Sequence, residues 1–252
     1  MRRRELVQAL LAGGSMAALD SCATSGGTLS GAKAVVVGGG YGGATATKYI
    51  RMLSENSLGV VLIEPSKSFV SCPMSNLVVG GVRQMADITS AHHGLRNKHG
   101  MTVVHDMVSS IDATKKSVKL AGGGEMRYYK LVLSPGIELM FDAAQGPKQA
   151  NTDGQMLKAG HSHDRRFYPG GPLIPKSGHM ANRIAKVAAA AIVAELKGIE
   201  INPRPMLTNT CYSFVSPAEV IHVARVHEYV AAEKTFKTIA GSGVVSAARS
   251  EL

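Results

Sequence analysis

Two short, uninterrupted apolar runs flank a helical segment near the start of the chain. The first run covers residues 34–37 (AVVV) and the second covers residues 60–63 (VVLI). Runs of this length, rich in β-branched residues, are typical of strands buried on both faces. Residues 44–52 lie between them, contain no proline and have the composition of a helix. This order of strand, helix and strand predicts a β-α-β unit with parallel strands.

The middle of the chain alternates apolar and polar residues at period two. Residues 101–106 are expected to form a third strand, and a short helix is expected near residues 88–98. The runs at 108–112, 118–120 and 128–133, with glycines at 122–124, predict a small antiparallel meander. The last run ends at Pro135-Gly136 and reads as a buried strand. The predicted fold class is therefore α/β, a doubly wound parallel sheet with a small antiparallel β meander.

The clearest helix of the chain is predicted at residues 180–197, which are rich in alanine and contain no helix breaker. Gly198 is expected to end this helix, and either Ser177 or Asn182 to cap its start. Residues 208–215 and 220–230 read as strands. The tail from Ala240 is small and polar and is expected to be loose.

The first strand runs directly into a glycine cluster, in which Gly38, Gly40 and Gly43 fill the pattern G-x-G-x-x-G and Gly42 lies within it. Such glycines allow a tight turn, a close approach of backbone to a diphosphate and close packing of helix on strand. Glu64 ends the second strand, twenty-one residues after Gly43, where a carboxylate accepts hydrogen bonds from ribose hydroxyls. An acid here argues against a 2′-phosphate and leaves NAD or FAD. The meander and the strand at residues 128–133 resemble those of two-dinucleotide-fold flavoproteins, in which such a strand returns to the first sheet and its turn passes close to the cofactor; this resemblance favours FAD.

Composition narrows the class of partner. The 252 residues include 28 Lys and Arg against 18 Asp and Glu, a formal charge of +10, but only 5% are aromatic and the basic residues are scattered. This pattern argues against nucleic-acid binding. Three arginines at positions 2–4 precede an apolar run to Leu19 that is too short to span a bilayer. Residues 1–31 therefore read as a twin-arginine-type export signal with a linker, which predicts a periplasmic, non-transmembrane protein.

The pattern of cysteines and histidines does not indicate a metal site, and the cysteines could pair, stay free or carry chemistry. The three cysteines are Cys22, Cys72 and Cys211, and Cys72 lies in the loop after the second strand, on the binding side of a parallel sheet. His92, His93 and His99 lack acidic or cysteine neighbours and are expected at the surface. The segment from His161 to Asp164 also lacks the second pair of ligands that a metal site requires, so no metal is predicted.

Taken together, these segments make the chain resemble the flavoprotein subunit of flavocytochrome c sulfide dehydrogenase. The resemblance covers most of residues 33–158 and resumes at about residues 172–225. The resemblance rests on the segments VVVGGGYGGATATKYI, VVLIEPSKSFVSCPMSN, VVHD, KLVLSPGIEL, IPKSGHMANRIAKVAAAAIVAELKG and LTNTCYSFVSP.

The resemblance implies bound FAD, with Glu64 on the adenosine ribose and the loop of Gly38 to Gly43 on the diphosphate. It implies a thioether from Cys72 to the flavin, and for Cys211 one half of a redox disulfide that sulfide attacks. It also implies a cytochrome c subunit as electron acceptor and a small inorganic sulfur compound as substrate. Further cofactor contacts are implied at these positions: Val104, Pro135, Gly136, Lys176 and Ser177.

The chain departs from the family pattern in its central part. Family members carry a second dinucleotide-like domain there, which holds the partner of the Cys211 equivalent, whereas this chain has only residues 159–171. The expected organisation is thus of a truncated two-dinucleotide-domain flavoprotein: residues 32–158 form the first part of the FAD-binding domain, 172–200 its last helix and 201–252 a C-terminal β segment and tail. The predicted function is sulfide oxidation through FAD to cytochrome c. The alternative is a non-catalytic flavin-binding remnant that acts as a binding module.

Overall fold

The computed structural model describes residues 33–136, 177–216, 219–233 and 235–247. The helices of this part of the chain are α1 Tyr41–Leu53, α2 Ser75–Val79, α3 His93–His99 and α4 Gly178–Lys197. The strands are β1 Lys33–Val37, β2 Gly59–Ile63, β3 Ser68–Val70, β4 Thr89–Ala91, β5 Thr102–Val104, β6 Val108–Asp112, β7 Ser117–Leu120, β8 Glu125–Arg127, β9 Lys130–Leu133, β10 Met206–Ser216, β11 Glu219–Val230 and β12 Thr235–Ala247.

The central element is a four-stranded parallel sheet with the strand order β5-β2-β1-β9. β1 pairs with β2 and β9 on its two sides, and Val35 lies opposite both Val61 and Leu131. Both faces of these strands are covered by other elements. The strands therefore need no polar face, which explains why their sequences are continuous apolar runs. This confirms the predicted α/β class and the return of the strand after the meander to the first sheet.

Two different layers cover the two faces of this sheet. On one face, alternate residues of β1 and β2 pack with α1 and α4 in a cluster that includes Val36, Leu62, Ile50 and Val193. On the other face, Val35, Val61 and Ile63 pack against Val118 and Leu120 of the antiparallel sheet β6-β7-β8. The predicted meander is therefore confirmed, and it closes the sheet on the side away from the helices.

α4 has sequence signals at both of its ends. Ser177 is the N-cap, and its hydroxyl accepts a hydrogen bond from the backbone N–H of Met180 at 3.1 Å. Gly198 ends the helix in the left-handed conformation, with φ of +65°, which glycine adopts at no steric cost. Of the two caps considered from sequence, Ser177 is the one observed. No helix among the described residues is long and apolar enough to cross a bilayer.

The C-terminal segment forms an antiparallel sheet in the order β10-β11-β12. Leu207 and Asn209 of β10 are both buried and alternate with more exposed neighbours. The expectation of a loose tail from Ala240 was wrong for residues 240–247, which belong to β12 and pair with β11. The small residues there have weak strand propensity, but pairing along β11 decides the conformation.

The segment between β2 and β5 is less regular than the rest of the fold. The helix expected near residues 88–98 is shorter, His93–His99, and is preceded by a 3-10 turn and by the two-stranded sheet of β3 and β4. Gly100 ends α3 with φ of +62°. Residues 89–91 pair with β3, which provides hydrogen-bond partners for their backbone N–H and C=O groups.

Candidate functional site

The carboxyl ends of the parallel strands meet at one edge, and the turns that follow them are hydrogen-bonded to one another. Gly38 N–H donates to Ile63 O at 2.9 Å, Glu64 N–H to Val104 O at 2.9 Å, and Ser134 N–H to Val37 O at 2.8 Å. Open parallel sheets place their ligands at this edge. The structure therefore brings Gly38, Glu64 and Val104 together, as their order in the sequence predicted.

The turn after β1 has no room for side chains. Gly38 has φ of +97°, and a Cβ atom built on it would overlap the backbone of Ser134. A Cβ on Gly43 would overlap the carbonyl oxygen of Gly38, so the start of α1 lies directly on the turn. The first and last glycines of the motif are thus required by close backbone packing.

α1 begins at Tyr41, three residues earlier than predicted, so its N-terminus lies inside the glycine motif. Gly40 is the N-cap, and no side chain caps the helix. The first helical hydrogen bond runs from Ala44 N–H to Gly40 O at 3.0 Å. The amides before it have no partner within the helix, and together with the positive end of the helix dipole they are suited to a negative charge such as that of a diphosphate.

Glu64 is fixed beside this turn while part of its hydrogen-bonding capacity stays available. Its Oε2 accepts from Gly39 N–H at 2.6 Å and its Oε1 accepts from Ser66 N–H at 2.8 Å. An ionised carboxylate has about four acceptor positions, so two remain for ribose hydroxyls. The side chain is half-buried. The glycine turn and this carboxylate together fit the diphosphate and ribose of a dinucleotide.

His92 also contacts the glycine turn, and the prediction that it lies at the surface was wrong. Its ring is buried, and Nε2 lies 2.9 Å from Gly39 O. His93 is exposed and His99 is half-buried. The polar surroundings of His92 in the sequence gave no sign of its burial, because it is covered by a turn that lies 53 residues earlier in the chain.

Tyr41 connects the glycine turn with the Cys72 loop and with α4. Its hydroxyl is hydrogen-bonded to Ser71 Oγ, and its ring packs edge-on against Phe69 with 5.0 Å between the centroids. A Cβ on Gly178 would lie 2.8 Å from the Tyr41 ring, so glycine at the first turn of α4 permits this contact. Three segments distant in sequence therefore meet around one aromatic side chain. The sequence gave no signal for this role.

Cys72 begins a 3-10 turn, Cys72–Met74, next to the residue that Tyr41 holds. Its carbonyl oxygen accepts a hydrogen bond from Ser75 Oγ at 2.7 Å, and the preceding Ser71 N–H donates to Ile88 O at 2.7 Å. The thiol is half-exposed and free. The backbone of this loop is thus fixed while its sulfur stays reachable.

Cys211 is connected to the start of α4 through Asn209. Ser177 Oγ donates to Asn209 Oδ1 at 2.8 Å, and Asn209 Nδ2 donates to Cys211 Sγ at 3.2 Å. Asn209 is 2% exposed, so both of its hydrogen bonds are shielded from water. This amide donor fixes the position of the Cys211 sulfur on the strand. Asn209 was not predicted, although its position two residues before Cys211 on one strand places both on the same face.

The remaining predicted site residues have varied positions. Val104 is half-buried, Pro135 and Gly136 are exposed after β9, and Lys176 lies outside the described residues. The segment from His161 to Asp164 also lies outside them. Within the described ranges, no three His, Cys, Asp or Glu side chains are grouped so that they could hold a metal ion.

Two family models match the chain. The model of the pyridine nucleotide-disulphide oxidoreductase family matches residues 32–165, which include the glycine turn, Glu64 and Cys72. A model described as flavocytochrome c sulphide dehydrogenase, flavin-binding, matches residues 203–252, which include Asn209, Cys211 and the three-stranded C-terminal sheet.

Curated relatives match parts of the chain. The mitochondrial sulfide:quinone oxidoreductase of Dictyostelium discoideum is 31% identical over 132 residues, 52% of this chain and 29% of that protein. The sulfide dehydrogenase (flavocytochrome c) flavoprotein chain of Chlorobaculum thiosulfatiphilum is 54% identical over 46 residues, 18% of this chain and 94% of that sequence. The chain thus spans less than a third of the length of the Dictyostelium relative.

A solved structure supports the fold. The sulfide:quinone oxidoreductase of Aquifex aeolicus superposes with a TM-score of 0.57 over 85% of this chain and 87% of that chain. The sequence identity is 14%, so the likeness concerns the architecture alone.

Because the turn is closely packed, alanine substitutions at Gly43 and at Gly42 should lower the free energy of unfolding by different amounts. Gly43→Ala places a methyl group onto Gly38 O and should lower the free energy of unfolding by about 2 kcal/mol or more. In Gly42→Ala the new methyl meets the Ser134 hydroxyl at 2.5 Å, a side-chain contact that can adjust, so the loss should be smaller. Urea denaturation followed by circular dichroism measures both.

Gly94→Ala is the matched control for this ranking. Gly94 lies within α3 with nothing within 4 Å of its Cβ position. Alanine is the better helix former, so this variant should be neutral or more stable by up to about 1 kcal/mol. Equal stability of the Gly43→Ala and Gly94→Ala variants would contradict the packing described for the turn.

Proposed function

The chain belongs to the pyridine nucleotide-disulphide oxidoreductase family, and on this premise we propose that it is an FAD-binding flavoprotein that oxidises sulfide and delivers the electrons to a cytochrome c. The observation that carries the proposal is the joining of three parts at one edge of the sheet. These parts are the side-chain-free glycine turn with Glu64, the Cys72 loop held by Tyr41, and Cys211 held through Asn209 to α4. The two curated relatives described above carry sulfide in their names, which supports the substrate.

In this proposal the chain binds FAD by its adenosine and diphosphate at the glycine turn. Glu64 accepts hydrogen bonds from the ribose hydroxyls, and the uncapped amides at the N-terminus of α1 donate to the diphosphate. The flavin-binding family model over residues 203–252 supports a flavin in preference to NAD. When bound, FAD supplies a two-electron acceptor for sulfide and returns the electrons singly to a one-electron acceptor such as a haem.

Cys72 is proposed to hold the flavin covalently through a thioether. Its half-exposed thiol lies on a fixed backbone, one residue after the serine that Tyr41 binds. A thiol at the surface of a rigid turn can be attached to a ligand without disturbing the fold. The attachment would prevent loss of the cofactor after export.

Cys211 is proposed to be the residue whose sulfur reacts with sulfide. The Asn209 amide orients its sulfur, and the Ser177 hydroxyl fixes the amide. A bond between the sulfide sulfur and Cys211 Sγ forms with loss of two electrons and a proton, and bound FAD would be the acceptor of that electron pair. Ser177 therefore has two roles, as the cap of α4 and as the support of Asn209.

The electron acceptor and the location of the protein follow from the same proposal. The flavocytochrome relative supports a cytochrome c subunit as partner. Arginines at positions 2–4 before a short apolar run support export to the periplasm by a twin-arginine route, which carries proteins already folded with their cofactor.

One observation favours the second candidate, a flavin-binding module without turnover. Both described cysteines, Cys72 and Cys211, are free, whereas the related enzymes of the family, as the sequence resemblance implies, use a disulfide that includes the equivalent of Cys211. A chain that has the ligand-binding edge of the sheet but lacks this disulfide would bind flavin without oxidising sulfide. It would then act as a binding module for a partner.

The covalent linkage is tested by mass analysis of denatured protein purified after export. The peptide that contains Cys72 should be heavier by one FAD, because a thioether survives denaturation. In the Cys72→Ser variant the flavin should instead be released when the protein is denatured. A yellow wild-type preparation whose Cys72 peptide has its unmodified mass would contradict the linkage.

Sulfide oxidation is tested by anaerobic addition of sulfide to the yellow protein. The visible flavin absorbance should bleach, and in the Cys211→Ser variant the bleaching rate should fall by about 100-fold or more, while dithionite should still reduce the flavin. Tyr212→Phe is the control, since Tyr212 is the exposed neighbour of Cys211 and should leave the rate unchanged. Wild-type flavin that dithionite bleaches and sulfide does not would establish the binding module instead of the enzyme.

A further inference from the structure

His92 is a buried histidine that packing alone does not explain. Its side chain is 5% exposed, and Nδ1 has no hydrogen-bond partner within the described part of the chain. A buried polar atom without a partner destabilises a fold, so an apolar side chain of similar size would suit this position better. The ring must therefore be useful for the hydrogen bond that it does make.

That hydrogen bond is to Gly39, between the first two glycines of the motif. His92 Nε2 lies 2.9 Å from Gly39 O, and because a carbonyl only accepts, Nε2 carries the proton and donates. Gly39 N–H donates to Glu64 Oε2 at 2.6 Å. A Cβ on Gly39 would lie 2.5 Å from His92 Nε2 and 2.8 Å from Glu64 Cγ, so the residue is clamped between the two side chains.

The bond to Gly39 O sets the direction of the next amide. Gly39 O and Gly40 N–H belong to one peptide unit, and the described residues contain no cis peptide bond. In a planar trans peptide the carbonyl and the N–H point in opposite directions. Since the carbonyl points toward His92, the Gly40 N–H points away from the histidine. It is the N-cap amide of α1, where an anion binds.

We propose that His92 is a positioning residue for the cofactor's diphosphate: it orients the Gly39-Gly40 peptide so that Gly40 N–H donates to a diphosphate oxygen. The inference rests on the proposed function, because it concerns the same dinucleotide site. His92 does not contact the ligand in this account. Its effect passes through one peptide unit, while Glu64 holds the other side of Gly39.

The experiment measures FAD affinity by flavin fluorescence in full-length protein with Cys72→Ser, so that the flavin exchanges freely. Three substitutions at position 92 distinguish the effect of the N–H donor from the effect of ring packing. His92→Gln keeps an N–H donor at the reach of Nε2, His92→Asn places its amide one carbon shorter, and His92→Leu has no donor. His93→Leu is the matched control, because His93 is the exposed neighbour.

We expect His92→Leu and His92→Asn to weaken FAD binding about tenfold or more, the effect of one lost charge-assisted hydrogen bond. His92→Gln should stay within about threefold of the parent, and His93→Leu should be unchanged. Competition with ADP and with adenosine shows which part of the ligand is affected. His92→Leu should weaken the binding of ADP more than the binding of adenosine.

Two outcomes overturn the proposal while the parent still binds FAD. If the parent binds FAD and His92→Leu binds equally well, His92 does not position the peptide, and the proposed function stands. If His92→Gln is as weak as His92→Leu, the ring matters through packing and not through its donor. If His92→Leu is unfolded by circular dichroism, the comparison of the Gln and Asn variants decides. If the parent does not bind FAD, the proposed function fails together with this inference.

Discussion

The structure depends on the contact between the glycine turn and the ends of the neighbouring strands. Gly38 lies against the backbone of Ser134, and Gly43 lies against Gly38, so no Cβ atom fits at either position. This closeness allows the amide of Gly38 to bond to Ile63 O and aligns the N-terminus of α1 with the carboxyl ends of β1, β2 and β9. The same constraint that packs the helix on the sheet thereby places the N-terminus of α1 where the proposed function requires it.

Side chains from distant parts of the chain then complete the site around this turn. Tyr41, the first residue of α1, holds the Cys72 loop through Ser71 and contacts Gly178 at the start of α4. From that helix start, Ser177 reaches Asn209, and Asn209 reaches Cys211. One continuous series of contacts thus connects the binding end of the sheet with both cysteines. The two thiols are supported by the same elements that would hold the cofactor.

Local patterns predicted the framework, and long-range contacts were missed. The β-α-β unit, the meander and the capped α4 were predictable because apolar runs, glycines and an N-cap serine act within a few residues. The burial of His92 and the role of Tyr41 depend on partners 53 and 30 residues away in the chain. Such distant contacts produce no recognisable pattern in the neighbouring sequence. The strand β12 was missed because its glycines and serines resemble a linker until they pair with β11.

The most direct test of the account is a crystal structure of the full chain with FAD. The account predicts that diphosphate oxygens accept hydrogen bonds from Gly40 N–H and the first turn of α1, with the ribose hydroxyls on Glu64. FAD bound at another part of the fold, with the Glu64 carboxylate and the Gly40 amide free of it, would contradict the central claim.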